Sequence, residues 1–147
     1  MDKTSNQEIK LLNLIRETDQ ESKRLYENYV SRIQDAIREI DKRRKGLDLT
    51  LSGDDKATKK ALEITLIKVE EVREKYLRLL ERRKYLGIEE VFSIVKDWYD
   101  FVSLVSTIHL KSAEAILKKI QEDPPQFDKV ILIKLEEIQR RFDEKLK

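Results

Sequence analysis

The side chains that could do chemistry are few. One histidine, His109, is the only group whose ordinary titration spans neutral pH. It could act as a pH switch or a general base, but at the edge of an apolar helical face it reads as a structural side chain. Carboxylate bundles that hold two metals need Glu-x-x-His on two helices. Here neither Asp nor Glu stands at positions 105, 106, 112 or 113. Cysteine is absent, which excludes disulfides, thiolate metal sites and cysteine nucleophiles. No Gly-rich phosphate loop, nucleophile elbow or His-Glu-x-x-His motif occurs. The carboxylate pairs Glu70-Glu71, Glu89-Glu90 and Glu136-Glu137 are sequence neighbours. Adjacent helical residues point about 100° apart, so such pairs form no clamp. The expectation is a non-enzymatic protein with no cofactor and no metal site.

Two basic clusters and one aromatic cluster remain. Lys42, Arg43, Arg44 and Lys45 form the first basic cluster; Arg82, Arg83 and Lys84 form the second. Both sit where a helix should end, and positive charge there complements the helix dipole. Their second reading is contact with nucleic-acid phosphates, which would make binding fall steeply with salt. Neither cluster is interleaved with the aromatics that stack single-stranded bases. Asp97 and Asp100 flank Trp98 and Tyr99. The candidate protein-partner residues are Tyr85, Trp98, Tyr99 and Phe101.

The elements that must position these groups follow from composition and spacing. The 147 residues suit one domain, 1–147. Charged residues make up 41% of the chain, yet Lys+Arg at 31 nearly balances Asp+Glu at 29. That excludes a histone-like tail and an acidic solvating tail. Three glycines and two prolines are too few for the turns of an all-β fold. The Lys, Glu and Ile bias is shared by hyperthermophile proteins and coiled coils. Residues 1–8 lack an apolar signal core, and the apolar run Phe101–Leu110 is half a membrane span. A soluble cytoplasmic protein, or a virion protein if viral, is expected, with no membrane contact.

Ser5-Asn6-Gln7-Glu8 has the form of a capping box and should open a first helix. Arg16 to Arg24 then contains no apolar residue, and Thr18-Asp19-Gln20-Glu21 offers a second capping box. The helix either breaks near residue 18 or runs through with a solvated stretch; no Gly or Pro intervenes, which favours continuity. Leu25, Tyr29, Ile33, Ala36, Ile37 and Ile40 mark one helical face, ended by Gly46. Leu47, Leu49 and Leu51 alternate in a loop. A second helix, capped by Ser52 or Asp54, carries the seam Leu62, Thr65, Val69, Val72, Tyr76, Leu79, Arg83, Leu86 and stops at Gly87. A third carries Val91, Val95, Trp98, Val102, Val105 and Ile108, until Asp123-Pro124-Pro125 breaks the chain. A fourth carries Phe127, Ile131, Leu135, Ile138 and Phe142. The predicted architecture is all-α: an elongated antiparallel bundle of four long helices, or five if the first breaks, with helices two and three as a hairpin.

The stretch Leu25-Tyr26-x-x-Tyr29, a charged loop, and then Val69 through Lys84 resembles the α-helical domain of the GINS proteins. These are small subunits of the complex that joins the replicative helicase in archaea and eukaryotes. In that family a long helix ends in an Arg/Lys-rich turn and another helical pair follows. The family's usual small β-rich domain has no counterpart, since residues 125–147 read as helical. The resemblance implies an interaction module in a nucleic-acid-handling assembly, a replication accessory subunit in type. The alternative is an archaeal viral helical-bundle protein, of the coat or RNA-polymerase-inhibitor type, contacting nucleic acid or polymerase through its basic helix ends. Phe92, Ile94 and Phe101 lie off the main line of helix three. That predicts self-association or an obligate protein partner on helix three and the weakly apolar first helix.

Overall fold

The computed structural model describes residues 3–46, 53–117 and 128–147, and the side-chain surroundings of 6–42, 59–108 and 130–147. These residues form four α-helices: α1 Lys3–Gly46, α2 Gly53–Glu81, α3 Ile88–Leu117 and α4 Asp128–Leu146. A 3-10 turn, Arg83–Tyr85, joins α2 to α3. The fold is an all-α helical bundle, as the apolar spacing requires. The alternating leucines at 47, 49 and 51 and the Asp123-Pro124-Pro125 break lie outside the described residues.

α1 runs through without a break. It begins at Lys3, so Ser5 lies inside the helix and the expected first capping box does not set its start. The second box does not cap either. Its polar stretch is not simply solvated: Ser22 is buried and donates through Oγ to the Asp19 carbonyl at 2.6 Å. The Asp19 carboxylate, half-buried, accepts a hydrogen bond from the Tyr76 hydroxyl on α2. A segment with no apolar residue thus turns two small polar side chains inward and is held by hydrogen bonds instead of hydrophobic burial.

Consecutive helices run antiparallel. Asp41 pairs with Lys59 near one end, and Asp19 meets Tyr76 further along, which sets α1 against α2. Arg141 reaches Asp97 at 3.4 Å and Lys145 approaches Glu90 at 3.8 Å, which sets α4 against α3. The most extensive packing joins the parallel pair α1 and α3, followed by the parallel pair α2 and α4. The expected α2–α3 hairpin is antiparallel, yet it is one of the least extensive contacts in the bundle. The two helices lie across the bundle from one another, joined at one end.

One aromatic from each helix forms a central layer. Tyr26 of α1 lies 5.8 Å from Trp98 of α3, centroid to centroid. Tyr76 of α2 stacks on Trp98 at 5.2 Å and on Phe142 of α4 at 6.4 Å. Arg73 caps the layer with its guanidinium 4.6 Å from the Tyr26 ring. Above and below, the helices bury Tyr29, Ile33, Ala36 and Ile40 of α1 and Val91, Val95, Val102 and Val105 of α3. α2 adds Leu62, Val69, Val72 and Leu79; α4 adds Ile131, Leu135 and Ile138. Ser106 is also buried, and its hydroxyl has no hydrogen-bond partner among the described residues.

Burial pushes the Tyr29 and Tyr76 hydroxyls well above the ordinary value of 10, the second further through its bond to Asp19; burial raises Tyr26 in the same direction. A folded pKa above the unfolded one means the stability is fully present below pH 10 and is lost as pH rises beyond it. Neutral and mildly acidic conditions therefore leave this contribution intact, and the bundle should unfold cooperatively in alkali. Tyrosinate absorbance and helical circular dichroism should change together for these three residues. Trp98→Ala should cost about 3–5 kcal/mol in urea unfolding. Ser106→Ala should raise stability by about 1 kcal/mol, because it removes a hydroxyl with no bond to lose.

Candidate functional site

The α2–α3 connection differs from the expected one. α2 stops at Glu81, and Arg82 N–H bonds back to the Leu79 carbonyl at 3.1 Å. Tyr85 N–H then reaches Arg82 O at 2.9 Å and Leu86 N–H reaches Arg83 O at 3.2 Å, the tighter 3-10 pattern. Leu86 is extended, and Gly87 opens α3 by accepting from Val91 N–H at 3.0 Å. Gly87 is thus the start of α3 and not the stop of α2. A side chain would meet nothing within 4 Å there. Arg83 and Leu86 leave the α2 seam in which the heptad spacing had placed them.

This early stop creates a cleft of about 400 Å³ at the turn end of the bundle. Its first wall is α1: Leu12, Ile15, Arg16 and Asp19. Leu80, Arg83 and Leu86 come from the end of α2 and the turn. Ile88, Val91 and Val95 of α3 complete it. Because Leu12 and Ile88 share this cleft, the turns of α1 before Leu12 extend past the start of α3. Residues 6–10 are all exposed. Ile9 and Leu12 are more than half exposed, at 54% and 55%.

The residues proposed from sequence divide sharply. Tyr85 is 86% exposed, on the turn beside the cleft. Tyr99 is half-buried. Trp98 and Phe101 are core residues, at 2% and 5% exposure, and are withdrawn as partner-contact residues. Trp98 is enclosed by Tyr26, Tyr76 and Phe101. Phe101 and Ile94 are both buried. They lie on the side of α3 where Asp97 and Glu90 pair with α4, so α4 supplies their cover. Ile94 and Phe101 are therefore covered within the chain and do not form the docking face expected on α3, whereas Phe92 is half-buried. Asp97 serves the Arg141 pair, and Asp100 is exposed.

The basic clusters occupy opposite ends. Lys42 is exposed at the far end of α1; the side chains of Arg43, Arg44 and Lys45 lie outside the described ones. From Lys59, which pairs with Asp41, to Arg83 is about 35 Å along α2 at ~1.5 Å per residue. Arg82, Arg83 and Lys84 are exposed at the cleft end. Arg82 is used structurally, donating to the Leu146 carbonyl of α4 at 2.7 Å. Arg83 and Lys84 have no carboxylate partner among the described residues. Arg16, also on the cleft, bonds only the Asn13 side chain, at 3.1 Å. Some exposed charges elsewhere pair locally, while others, such as Arg32, Arg78 and Lys96, have no carboxylate partner among the described residues. Among the paired ones, Arg24 donates through Nε to Glu21 at 3.0 Å and holds that carboxyl below its usual range.

His109 lies within α3, with its side chain outside the described ones. Among the described residues no three His, Asp or Glu side chains gather as metal ligands. None of the described helices is long and apolar enough to cross a membrane. No family model, curated protein or solved structure matches the chain.

The two faces of this region should respond differently to mutation. Tyr85→Ala should change the free energy of urea unfolding by less than about 0.5 kcal/mol, as for other surface positions. Tyr76→Phe, which removes the donor to Asp19 behind the cleft, should cost about 1–2 kcal/mol. Combining it with Asp19→Asn should cost less than the two single changes added together.

Proposed function

We propose that this chain is a non-enzymatic helical interaction module that holds a protein partner at the turn end of its bundle, within a nucleic-acid-handling assembly. The observation that carries the reading is the cleft itself. Each of its three walls carries apolar side chains, it opens to solvent, and exposed Ile9 and Tyr85 lie beside it. Exposed apolar groups collected at one place mark interaction sites, whereas scattered ones do not. The pattern from Leu25 to Gly87 that resembles the GINS helical domain supports the second half of the proposal, the kind of assembly.

Direct nucleic-acid contact is the second reading, favoured by Arg83 and Lys84, which are exposed and have no carboxylate partner among the described residues. It is the weaker one. The two basic clusters stand about 35 Å apart at opposite ends, so they do not form one groove for a backbone to follow.

Affinity purification of the tagged chain tests the first reading. The wild type should recover replication or transcription proteins, and Leu12→Glu with Leu86→Glu should lose them while keeping full helicity. Recovery of no such protein would sink it. The second reading requires a gel shift at low salt that Arg83→Glu with Lys84→Glu abolishes.

A further inference from the structure

We infer that the cleft receives an acidic amphipathic helix of the partner protein, its apolar stripe lying between α1 and the turn and its carboxylates meeting Arg16 and Arg83. The inference rests on the docking reading above and identifies the partner's chemistry. Ile9, Leu12 and Arg16 follow one another at three- and four-residue steps on α1, so they form one stripe along the cleft's edge. Because α1 extends past the start of α3, this stripe is a rod open on the side facing the turn. An apolar rod beside an apolar cleft is the geometry of helix-in-groove recognition, read by anchors at i, i+3, i+4 and i+7.

Charge selects the sign of the occupant. Arg16 stands on the α1 wall and Arg83 on the opposite one, and neither has a carboxylate partner among the described residues. Lys84, next to Arg83, is also exposed and unpaired. Among the charged groups that line the cleft the two guanidiniums outnumber the single carboxylate, Asp19, which accepts a hydrogen bond from Tyr76. Glu90 faces Lys145, and Glu8, Glu17, Glu81 and Glu89 are exposed outside the lining. An acidic helix would satisfy both guanidiniums, which recognise carboxylates through paired hydrogen bonds. A second copy of this chain, packed through the same end, would instead bring Arg83 and Lys84 against their own kind. Like charges brought together at an interface suppress that pairing. A nucleic acid would use the cations and leave the apolar walls wet.

The test uses the full chain and two synthetic 15-residue peptides. Both carry Leu at i, i+3, i+4 and i+7; one has a Glu polar face and the other a Lys polar face. Binding is read by fluorescence anisotropy. The Glu peptide should bind at least about 10-fold tighter than the Lys peptide. Arg16→Glu with Arg83→Glu should weaken the Glu peptide about 10-fold or more and reverse the preference, with helicity unchanged since both side chains are exposed. Leu86→Ser should weaken both peptides. Equal binding of the two peptides would overturn the inference, as would Glu-peptide binding indifferent to the double charge reversal. So would sedimentation showing a dimer that buries Leu12, or displacement of the Glu peptide by a single-stranded oligonucleotide. Copurified protein retained at the cleft while the Glu peptide fails to bind would sink the acidic-helix inference and leave the docking reading standing. A bound Glu peptide with nothing copurified would do the reverse.

Discussion

The bundle depends on one layer of rings. Trp98 lies against Tyr26 and Tyr76, and Tyr76 lies against Phe142, so every helix contributes a ring at the same height. Large flat side chains meeting at one level leave little freedom for a helix to slide, because interiors are packed as densely as organic crystals. The Tyr76 hydroxyl adds a direction that ring packing lacks. It must find a polar partner once buried, and it finds Asp19 on α1. That bond sets the register of α1 against α2. It also explains how α1 crosses nine residues with no apolar side chain and remains one helix.

Register has a consequence at the end of the bundle. With Asp19 fixed beside Tyr76, the first turns of α1 extend beyond the point where α3 can begin. α2 meanwhile ends at Glu81, and the chain needs six residues, 82–87, of tight turn and extended backbone to reverse. The space between an overlong helix and a compact turn is the cleft. Its walls are apolar because Leu80, Val91 and Val95 still follow the core-facing rhythm of their helices. Nothing on the chain's own turn is bulky enough to reach across, since Tyr85 points to solvent. The candidate site is therefore a by-product of the same register that stabilises the core.

Much of this was legible in the sequence. The third helix's line from Val91 to Val105 is buried as the spacing requires, and so are Leu62, Val69, Val72, Tyr76 and Leu79 on the second. Helical periodicity reports a buried face whatever the partner helix is, and for that reason it could not choose neighbours. The α2–α3 connection implied a hairpin, but the closest neighbour of α3 is α1. Tyr85 and Arg82–Lys84 are exposed, as their place at a helix end suggests, whereas Trp98 and Phe101 are core residues. Wide apolar stripes look alike from one strand of sequence whether a fourth helix or a partner covers them. Arg16 carried no sequence signal, because its importance comes only from standing opposite Arg83 once the chain has turned.

Several charges along the bundle are paired. Lys75 reaches Asp143 at 2.9 Å, Lys134 reaches Glu137 at 3.4 Å and Arg38 pairs with Asp35. Such exposed pairs are each worth little, about 0–1 kcal/mol. Arg16, Arg83 and Lys84 have no carboxylate partner among the described residues, as is true of Arg32 and Arg78, but they stand beside the opening of an apolar cleft. Unpaired cations at an apolar opening raise the encounter rate of anionic partners and repel cationic ones. A chain whose charges nearly balance overall can still present one selective end. Selectivity then comes from which charges the fold leaves unmatched, not from the total.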